Sequence, residues 1–229
     1  MSDPLTLALD TAGPRCAAAV VHRGAVMAAE SLTLSRGHAE ALAPLIERVA
    51  GTAGVALKDL ERLGVSVGPG SFTGLRVGLA MARGLAASTG VPLVGVTVTA
   101  ALAAALEDHP AAAEGLPRVV VLDARRGDFY LEVFHSGAGG DGPRALNPAA
   151  ARAVLAEAPC LAAGDGLARL GEVPPGVVAA DLPWPPIAAL ARLAAAAPPS
   201  QASAQSPPGA LYLRPPDAVL PAHGGRLRP

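Results

Sequence analysis

A glycine-rich string that joins a buried strand to a long helix constrains the fold more than any other feature of the sequence. It reads Gly68-Pro69-Gly70-Ser71-Phe72-Thr73-Gly74-Leu75-Arg76 and continues to Gly78. A β-branched segment ends just before it, and helix-forming residues follow to about residue 89. Because glycine adopts positive φ and permits close backbone approach, the string predicts a sharp strand-to-helix turn, with Ser71 or Thr73 capping the helix.

Two interpretations of this turn are open. The unpaired N–H groups and the positive dipole end of the helix can together hold an anion. Alternatively, the glycines only make a tight connection and Ser71 is only a cap. The string is not a P-loop, because no Gly-Lys-Ser/Thr sequence follows, and it lacks the glycine spacing of a dinucleotide fingerprint. It also lacks the surroundings that would make Ser71 a hydrolase nucleophile.

The helix predicted over residues 75–89 carries small or apolar residues on nearly every side. Its charged residues, Arg76 and Arg83, are seven positions apart and therefore share one side. A helix that is apolar almost all round is buried on more than one face. We therefore expect one face to cover a sheet and the small-residue face to admit a second helix, from this chain or from another subunit.

Size and charge limit the class of protein. A chain of 229 residues with 51% hydrophobic content can bury roughly 70% of its unfolded surface. The net charge of −1 and the sparse arginines, such as the Arg125-Arg126 pair and Arg226 and Arg228 in the tail, argue against binding nucleic acid alone. The two cysteines, Cys16 and Cys160, lie in apolar runs and indicate reduced core residues of a cytosolic protein.

Targeting and membrane segments are not expected. The first residues do not show a basic segment followed by an apolar one, so the sequence gives no sign of a signal peptide. Its longest apolar runs are shorter than the roughly 20 residues that a membrane-spanning helix needs. We therefore expect a soluble, cytoplasmic protein.

The order of the predicted elements occurs twice along the chain. The first set has strands at residues 5–10, 16–21, 26–31, 63–67 and 92–96, and helices at 38–49, 75–89 and 100–106. The second has strands at 119–123, 129–135, 144–146, 160–163 and 177–179, and helices from Pro148 and over 187–197. A Pro/Ser linker over 198–209, an extended segment at 211–214 and a loose tail complete the prediction.

These two sets predict two lobes. A polar, proline-bounded stretch at residues 107–117 separates them, which gives an N-terminal lobe over 1–109 and a C-terminal lobe over 110–229. Each lobe has the order β-β-β-α-β-α-β-α and opens on a strand that ends in aspartate, Asp10 or Asp123. This duplicated α/β layout is that of the actin, sugar kinase and Hsp70 group.

Four strings carry a resemblance to a known family. They are Leu7-Ala8-Leu9-Asp10-Thr11-Ala12, the glycine-rich string, Asp123-Ala124-Arg125-Arg126-Gly127-Asp128-Phe129-Tyr130 and Tyr212-Leu213-Arg214. In them the chain resembles the TsaB family, also called YeaZ, over nearly its whole length. Members are the dimerisation subunit of the bacterial machinery that makes threonylcarbamoyladenosine in tRNA. The resemblance implies the two-lobed actin-like α/β fold (ASKHA, ribonuclease H-like).

The resemblance also implies partners. A family member binds its homologue TsaD, the catalytic subunit that modifies the adenosine next to the anticodon, and the ATPase TsaE joins them. A homodimer through the first two helices is a further possibility, and tRNA is met only through the complex. The chain itself is then not catalytic and needs no cofactor. The interface residues we predict on these helices are Leu42, Leu45, Ile46, Gly74, Arg76, Val77, Gly78, Met81, Gly84 and Leu85.

The chemistry of the catalytic relative is not evident in this sequence. That relative holds a metal through two histidines four residues apart, and no two of the five histidines here have that spacing. A metal site is therefore not expected, and His38 is interpreted as a cap or surface residue.

Asp10 and Asp123 occupy the places where actin-like ATPases direct carboxylates at Mg²⁺ and phosphates. Close-set glycines are missing beside both, so they are at most vestigial cofactor-binding candidates. Alternatively, each hydrogen-bonds the N–H groups of its own turn. Arg125 is left open between an anion site, a salt bridge across the lobes and a pair with Asp128. The competing functions are a small-molecule kinase or ATPase that uses the two aspartates, and a metallopeptidase.

Overall fold

Two five-stranded mixed sheets form the framework of the protein. The structure is a computed structural model that describes residues 4–135, 139–202 and 207–214. The predicted loose tail, with His223, Arg226 and Arg228, lies outside the described residues, and so does the middle of the predicted Pro/Ser linker.

The first sheet has the strand order β3-β2-β1-β4-β5. Its central strand β1 is buried at all five residues, as expected for an apolar run that is covered on both faces. β1 pairs antiparallel with β2 and parallel with β4. The strands are β1 (Thr6–Asp10), β2 (Arg15–His22), β3 (Ala25–Thr33), β4 (Arg62–Gly68) and β5 (Leu93–Thr97), and the helices are α1 (His38–Ala53), α2 (Phe72–Thr89) and α3 (Val98–Ala105).

The second sheet has the order β10-β9-β6-β7-β8. Asn147 caps α4 by accepting a hydrogen bond from the Ala150 amide, and Pro148 takes the first helical position, where its missing N–H costs no intrahelical bond. The strands are β6 (Arg118–Asp123), β7 (Phe129–Phe134), β8 (Arg144–Leu146), β9 (Cys160–Ala163) and β10 (Val177–Ala179), and the helices are α4 (Pro148–Ala156), α5 (Leu167–Leu170) and α6 (Ile187–Ala196).

The two sheets repeat one topology. β6 pairs antiparallel with β7 and parallel with β9, just as β1 pairs antiparallel with β2 and parallel with β4. The element order is β-β-β-α-β-α-β-α in both halves. The predicted duplicated, actin-like α/β architecture is therefore confirmed. Only α5, a single turn of helix, falls where the residue pattern gives no separate helix.

The last helix of each half is packed between the sheets. α1 and α2 cover one face of the first sheet, and α6 covers the other face with the small side chains of Ala191 and Ala194. α3 contacts strands of both sheets and also contacts α6. The boundary predicted after residue 109 stays a prediction, but α6, which belongs to the second half by sequence, packs on the first sheet.

Among the described helices, none combines the length and the apolar character that crossing a membrane would require.

Candidate functional site

The carboxylate of Asp10 is tied to the turn that follows β1. Its Oδ1 accepts a hydrogen bond of 2.9 Å from the amide of Ala12, two residues further on. The side chain is buried, and this burial raises the pKa of Asp10 above its ordinary value, against the opposing effects of the Ser66 hydroxyl and the Ala12 amide. Asp10 therefore acts within its own turn.

Asp123 has the equivalent position at the end of β6. Its Oδ1 accepts a hydrogen bond of 2.8 Å from the amide of Arg125. Its Oδ2 lies 2.9 Å from Nη1 of Arg169 and 3.4 Å from Nη1 of Arg125, and only 3% of the side chain is exposed. Of the two interpretations of the aspartates, the structure shows the one in which each carboxylate binds an amide of its own turn.

A third carboxylate, that of Asp165, lies just after β9 and beside the end of β6. Oδ1 of Asp165 accepts a hydrogen bond of 2.8 Å from the amide of Asp123. Burial is the main cause that raises the pKa of Asp165, and the negative charge of Asp123 adds to it. A Cβ at Gly166 would lie 2.9 Å from the carbonyl oxygen of Val121. The glycines on either side of Asp165 therefore allow close packing against β6.

The glycine-rich string holds the start of α2 against the turn after β1. The amide of Ser71 donates to the carbonyl oxygen of Ala12 at 2.7 Å, and the Ser71 hydroxyl accepts from the amide of Gly74 at 3.3 Å. A Cβ at Gly70 would lie 2.5 Å from that same oxygen of Ala12. The structure thus supports the tight connection with Ser71 as the cap, and the Ser71 N–H is not left for an anion.

Gly74 and Gly78 bring α2 close to Thr11. The hydroxyl of Thr11 donates to the carbonyl oxygen of Gly74 at 2.7 Å, and a Cβ at Gly78 would lie 2.5 Å from that hydroxyl. Gly84, on the same helix, has no atom within 4 Å of its added Cβ. The small-residue face predicted to admit a partner's helix is therefore filled by the chain's own turn over its first half.

Half of the predicted interface residues need correction for this reason. Leu42, Leu45 and Ile46 lie in the core beneath α1, because the first sheet takes the apolar face of that helix. Gly74 and Gly78 are buried as described above. The remaining five stay as predictions: Arg76 and Gly84 are exposed, and Val77, Met81 and Leu85 are half-buried.

An apolar cluster fills the space between the two lobes. Ala12 and Leu75 of the first half meet Leu122 of the second half and Trp184. The Trp184 ring covers Gly13, where an added Cβ would lie 2.6 Å from its Cε3. The residue pattern does not predict this cluster. The sequence feature that points to it is the single tryptophan, because a lone large ring in a chain with 3% aromatic residues is expected to be buried.

The side chains of His38, Cys16 and Cys160 contribute to the fold. Nε2 of His38 lies 3.2 Å from the carbonyl oxygen of Gly13, so this half-buried residue binds the turn after β1. Cys16 and Cys160 are free and buried, and burial raises the pKa of Cys16 to about 11. Within residues 4–135, 139–202 and 207–214, no group of three or more His, Cys, Asp or Glu side chains could hold a metal ion.

Asp128 and Tyr212 link the strings that carry the family resemblance. Arg125 pairs with Asp123, whereas Asp128 forms its ion pair with Arg214. Of the alternatives left open for Arg125, the pair with Asp128 is therefore not the one that the structure has. The Tyr212 ring lies 5.2 Å from the Phe72 ring. Three of the four strings are thereby joined side chain to side chain, and the first is joined through Ala12 and Ser71.

These features define the class of the protein: it is a two-lobed actin-like α/β protein whose interlobe space is filled by its own side chains. A family model described as TsaD, tRNA N6-adenosine threonylcarbamoyltransferase, matches residues 32–140. The tRNA threonylcarbamoyladenosine biosynthesis protein TsaB of Escherichia coli is 35% identical over 125 residues, which are 54% of this chain and 52% of that relative. By sequence and by fold, the chain is similar to the TsaB family, also called YeaZ.

Two solved structures from Pseudomonas aeruginosa share the fold. YeaZ superimposes with a TM-score of 0.70 at 28% identity, covering 85% of this chain and 91% of that one. A protein described as similar to peptidase YEAZ gives a TM-score of 0.75 at 26% identity, covering 93% of this chain and all of that one. By sequence, this chain spans about half the length of the curated relatives it matches.

Proposed function

We propose that this chain is a cytoplasmic, non-catalytic subunit that docks on a homologous TsaD-like catalytic subunit. In that complex, with a TsaE-like ATPase, it supports transfer of a threonylcarbamoyl group to the adenosine next to the anticodon of tRNA. The names of its relatives support this: they are biosynthesis proteins of threonylcarbamoyladenosine, and the matching family model is that of the transferase. The tRNA is reached through the complex.

The observation that carries the non-catalytic role is the filled space between the lobes. A nucleotide in an actin-like fold needs free backbone at the turns after the first strand of each half. Here Trp184 covers Gly13, and the carboxylates of Asp10 and Asp123 accept hydrogen bonds from their own turns. The kinase alternative would need these carboxylates free to bind Mg²⁺ or its water ligands.

The docking face we propose is the outer side of α2. Val77, Met81 and Leu85 follow one another at intervals of four residues and are half-buried, so they form one stripe. Gly84 beside this stripe is exposed and has open space around it. Small residues next to apolar ones allow a second helix to approach closely, so the same face can serve the heterodimer and a homodimer.

Reconstitution tests the role in the complex. Substrate tRNA, threonylcarbamoyl adenylate and the TsaD-like and TsaE-like subunits of the same cell are combined with and without this chain, and modified adenosine is measured by mass spectrometry. We expect modification to depend on the chain. Modification at the same rate without it would overturn the proposal.

Calorimetry on the isolated chain tests the alternative. We expect no Mg-ATP binding tighter than about 100 μM, which corresponds to ~5.5 kcal/mol. Tighter binding, together with ATP hydrolysis that is lost in Asp10→Ala, would favour the kinase or ATPase over the non-catalytic subunit.

A matched pair of glycine variants tests the docking face. Gly84→Glu adds a charged side chain in open space on α2, whereas Gly139→Glu makes the same change in open space after β7. We expect Gly84→Glu to abolish the heterodimer on size-exclusion chromatography and Gly139→Glu to retain it. If Gly84→Glu retained the heterodimer, the proposed docking face on α2 would be wrong, whereas the proposed role in the complex would be unaffected.

A further inference from the structure

Residues 207–214 run along the side of α2 that carries Arg76 and Arg83, and we call this segment the strap. Nη2 of Arg83 donates to the carbonyl oxygen of Pro208 at 2.7 Å. Nε of Arg76 donates to the hydroxyl of Tyr212 at 3.4 Å. The two arginines that the sequence places on one side of α2 thus both bind the strap.

The strap also contacts two strands of the first sheet. The amide of Leu211 donates to the carbonyl oxygen of Val67 in β4 at 2.7 Å. A Cβ at Gly95 of β5 would lie 2.7 Å from the Cβ of Pro208, so the glycine makes room for the proline. Ala210, between these contacts, packs against the core of the first half. The strap is therefore bound to the first lobe both by a backbone hydrogen bond and by packing of its side chains.

Aromatic stacking continues these contacts at the glycine-rich string. The ring of Tyr212 lies 5.2 Å from that of Phe72 at an interplanar angle of 42°. The guanidinium carbon of Arg76 lies 3.7 Å from the centre of the Phe72 ring, which is within the range of a cation–π contact. With three Phe and two Tyr in the whole chain, this pair uses two of its five phenyl or phenol rings to join the strap to the start of α2.

The last described residue of the strap reaches the second lobe. Arg214 forms an ion pair with Asp128, in the turn between β6 and β7. Asp128 is held in place by its backbone, because the amide of Ala124 donates to its carbonyl oxygen at 3.0 Å. One short segment is therefore fixed to α2 and β4 at one end and to the second sheet at the other.

We propose that the strap is a clamp that keeps the two lobes closed on the apolar cluster around Trp184, with the Arg214–Asp128 ion pair as its lock. The contacts with the first lobe hold the strap in place, and the Arg214–Asp128 ion pair then holds the second sheet against it. An ion pair that acted only at the surface would leave the amide of Leu211 and the ring of Trp184 unaffected. This inference does not depend on the proposed function.

Reversing the charge of the lock tests the clamp. In Arg214→Glu we expect hydrogen exchange of the Leu211 amide to accelerate about five-fold, in line with the loss of a partly exposed ion pair. Acrylamide quenching of Trp184, the single tryptophan, should rise in the same variant. The matched control is Arg144→Glu, which breaks the comparably exposed Arg144–Asp141 pair in the same lobe and should change neither readout.

The charge-swapped double variant Asp128→Arg/Arg214→Glu completes the test. We expect it to restore both the slow exchange of the Leu211 amide and the low quenching of Trp184. Exchange of the β1 amides, measured in the same samples, shows that the variants are folded. Unchanged exchange and quenching in Arg214→Glu, or no recovery in the folded double variant, would overturn the clamp.

Discussion

Trp184 packs its indole ring on the backbone of Gly13, so that a Cβ placed on Gly13 would lie 2.6 Å from Cε3 of the ring. Gly13 lies in the turn between β1 and β2, and Trp184 follows β10. The contact thus joins the two repeated halves. In this chain the ring contributes to the core.

Removing this ring should therefore destabilise the whole fold. We expect Trp184→Ala to lower the free energy of unfolding by about 3 kcal/mol, because a large aromatic side chain is lost from a packed cluster. Trp184→Phe keeps part of the contact and should lose less. Urea denaturation followed by circular dichroism measures both. A loss in Trp184→Ala no greater than that in Trp184→Phe would show that the ring is not packed as described.

Two glycines of α2 should respond to alanine in opposite directions. Gly78→Ala places a Cβ 2.5 Å from the Thr11 hydroxyl, so we expect a loss of about 1–3 kcal/mol from overpacking. Gly84→Ala places the same methyl group in open space, and higher helix propensity should stabilise the protein by about 1 kcal/mol. Thermal unfolding of both variants checks the signs, and equal effects would contradict the close approach of α2 to Thr11.

Local patterns predicted the elements because each signal is confined to a few residues. The short apolar run of β1, the β-branched residues of β4 and the serine before α2 are sufficient to place strands and a cap. The repeat of β-β-β-α-β-α-β-α then gave the two lobes. α5 was missed because one turn of helix, Leu167–Leu170, is too short to show a period.

Contacts between distant segments could not be predicted in the same way. The apolar face of α1 and the glycines of α2 indicated burial, but composition does not say whether the sheet, the β1–β2 turn or another subunit covers them. Leu45 and Gly78 were therefore assigned to a partner although the chain itself buries them. Likewise, Arg214 lies 86 residues from Asp128, and no local spacing relates the two.

Glu132 should make stability depend on pH. It is a buried residue of β7, and burial raises its pKa above the ordinary value of 4.5. Because the folded protein then holds this proton more tightly than the unfolded chain, Glu132 favours folding below pH 4.5, and that contribution is lost as the pH rises through the folded-state pKa.

Glu132→Gln cannot ionise. We therefore expect its free energy of unfolding, relative to that of the unchanged protein, to increase from acidic to neutral pH. Urea denaturation at several pH values between 4 and 8 measures this difference. The exposed Glu47→Gln variant is the matched control for removing one carboxylate. A difference that stays constant across the pH range would contradict a raised pKa.

Arg62 should prove important for the packing of α6 on the first sheet. Its Nη1 donates to the carbonyl oxygens of Ala194, Ala195 and Ala197 at 3.0, 2.6 and 2.7 Å, so one cation satisfies the end of the helix. We expect Arg62→Ala to lower the free energy of unfolding by about 2 kcal/mol, since buried carbonyl groups lose a charged donor. Exposed Arg192, with one bond of 3.4 Å to Gly24, is the control, and equal losses in Arg62→Ala and Arg192→Ala would show that Arg62 does not cap α6.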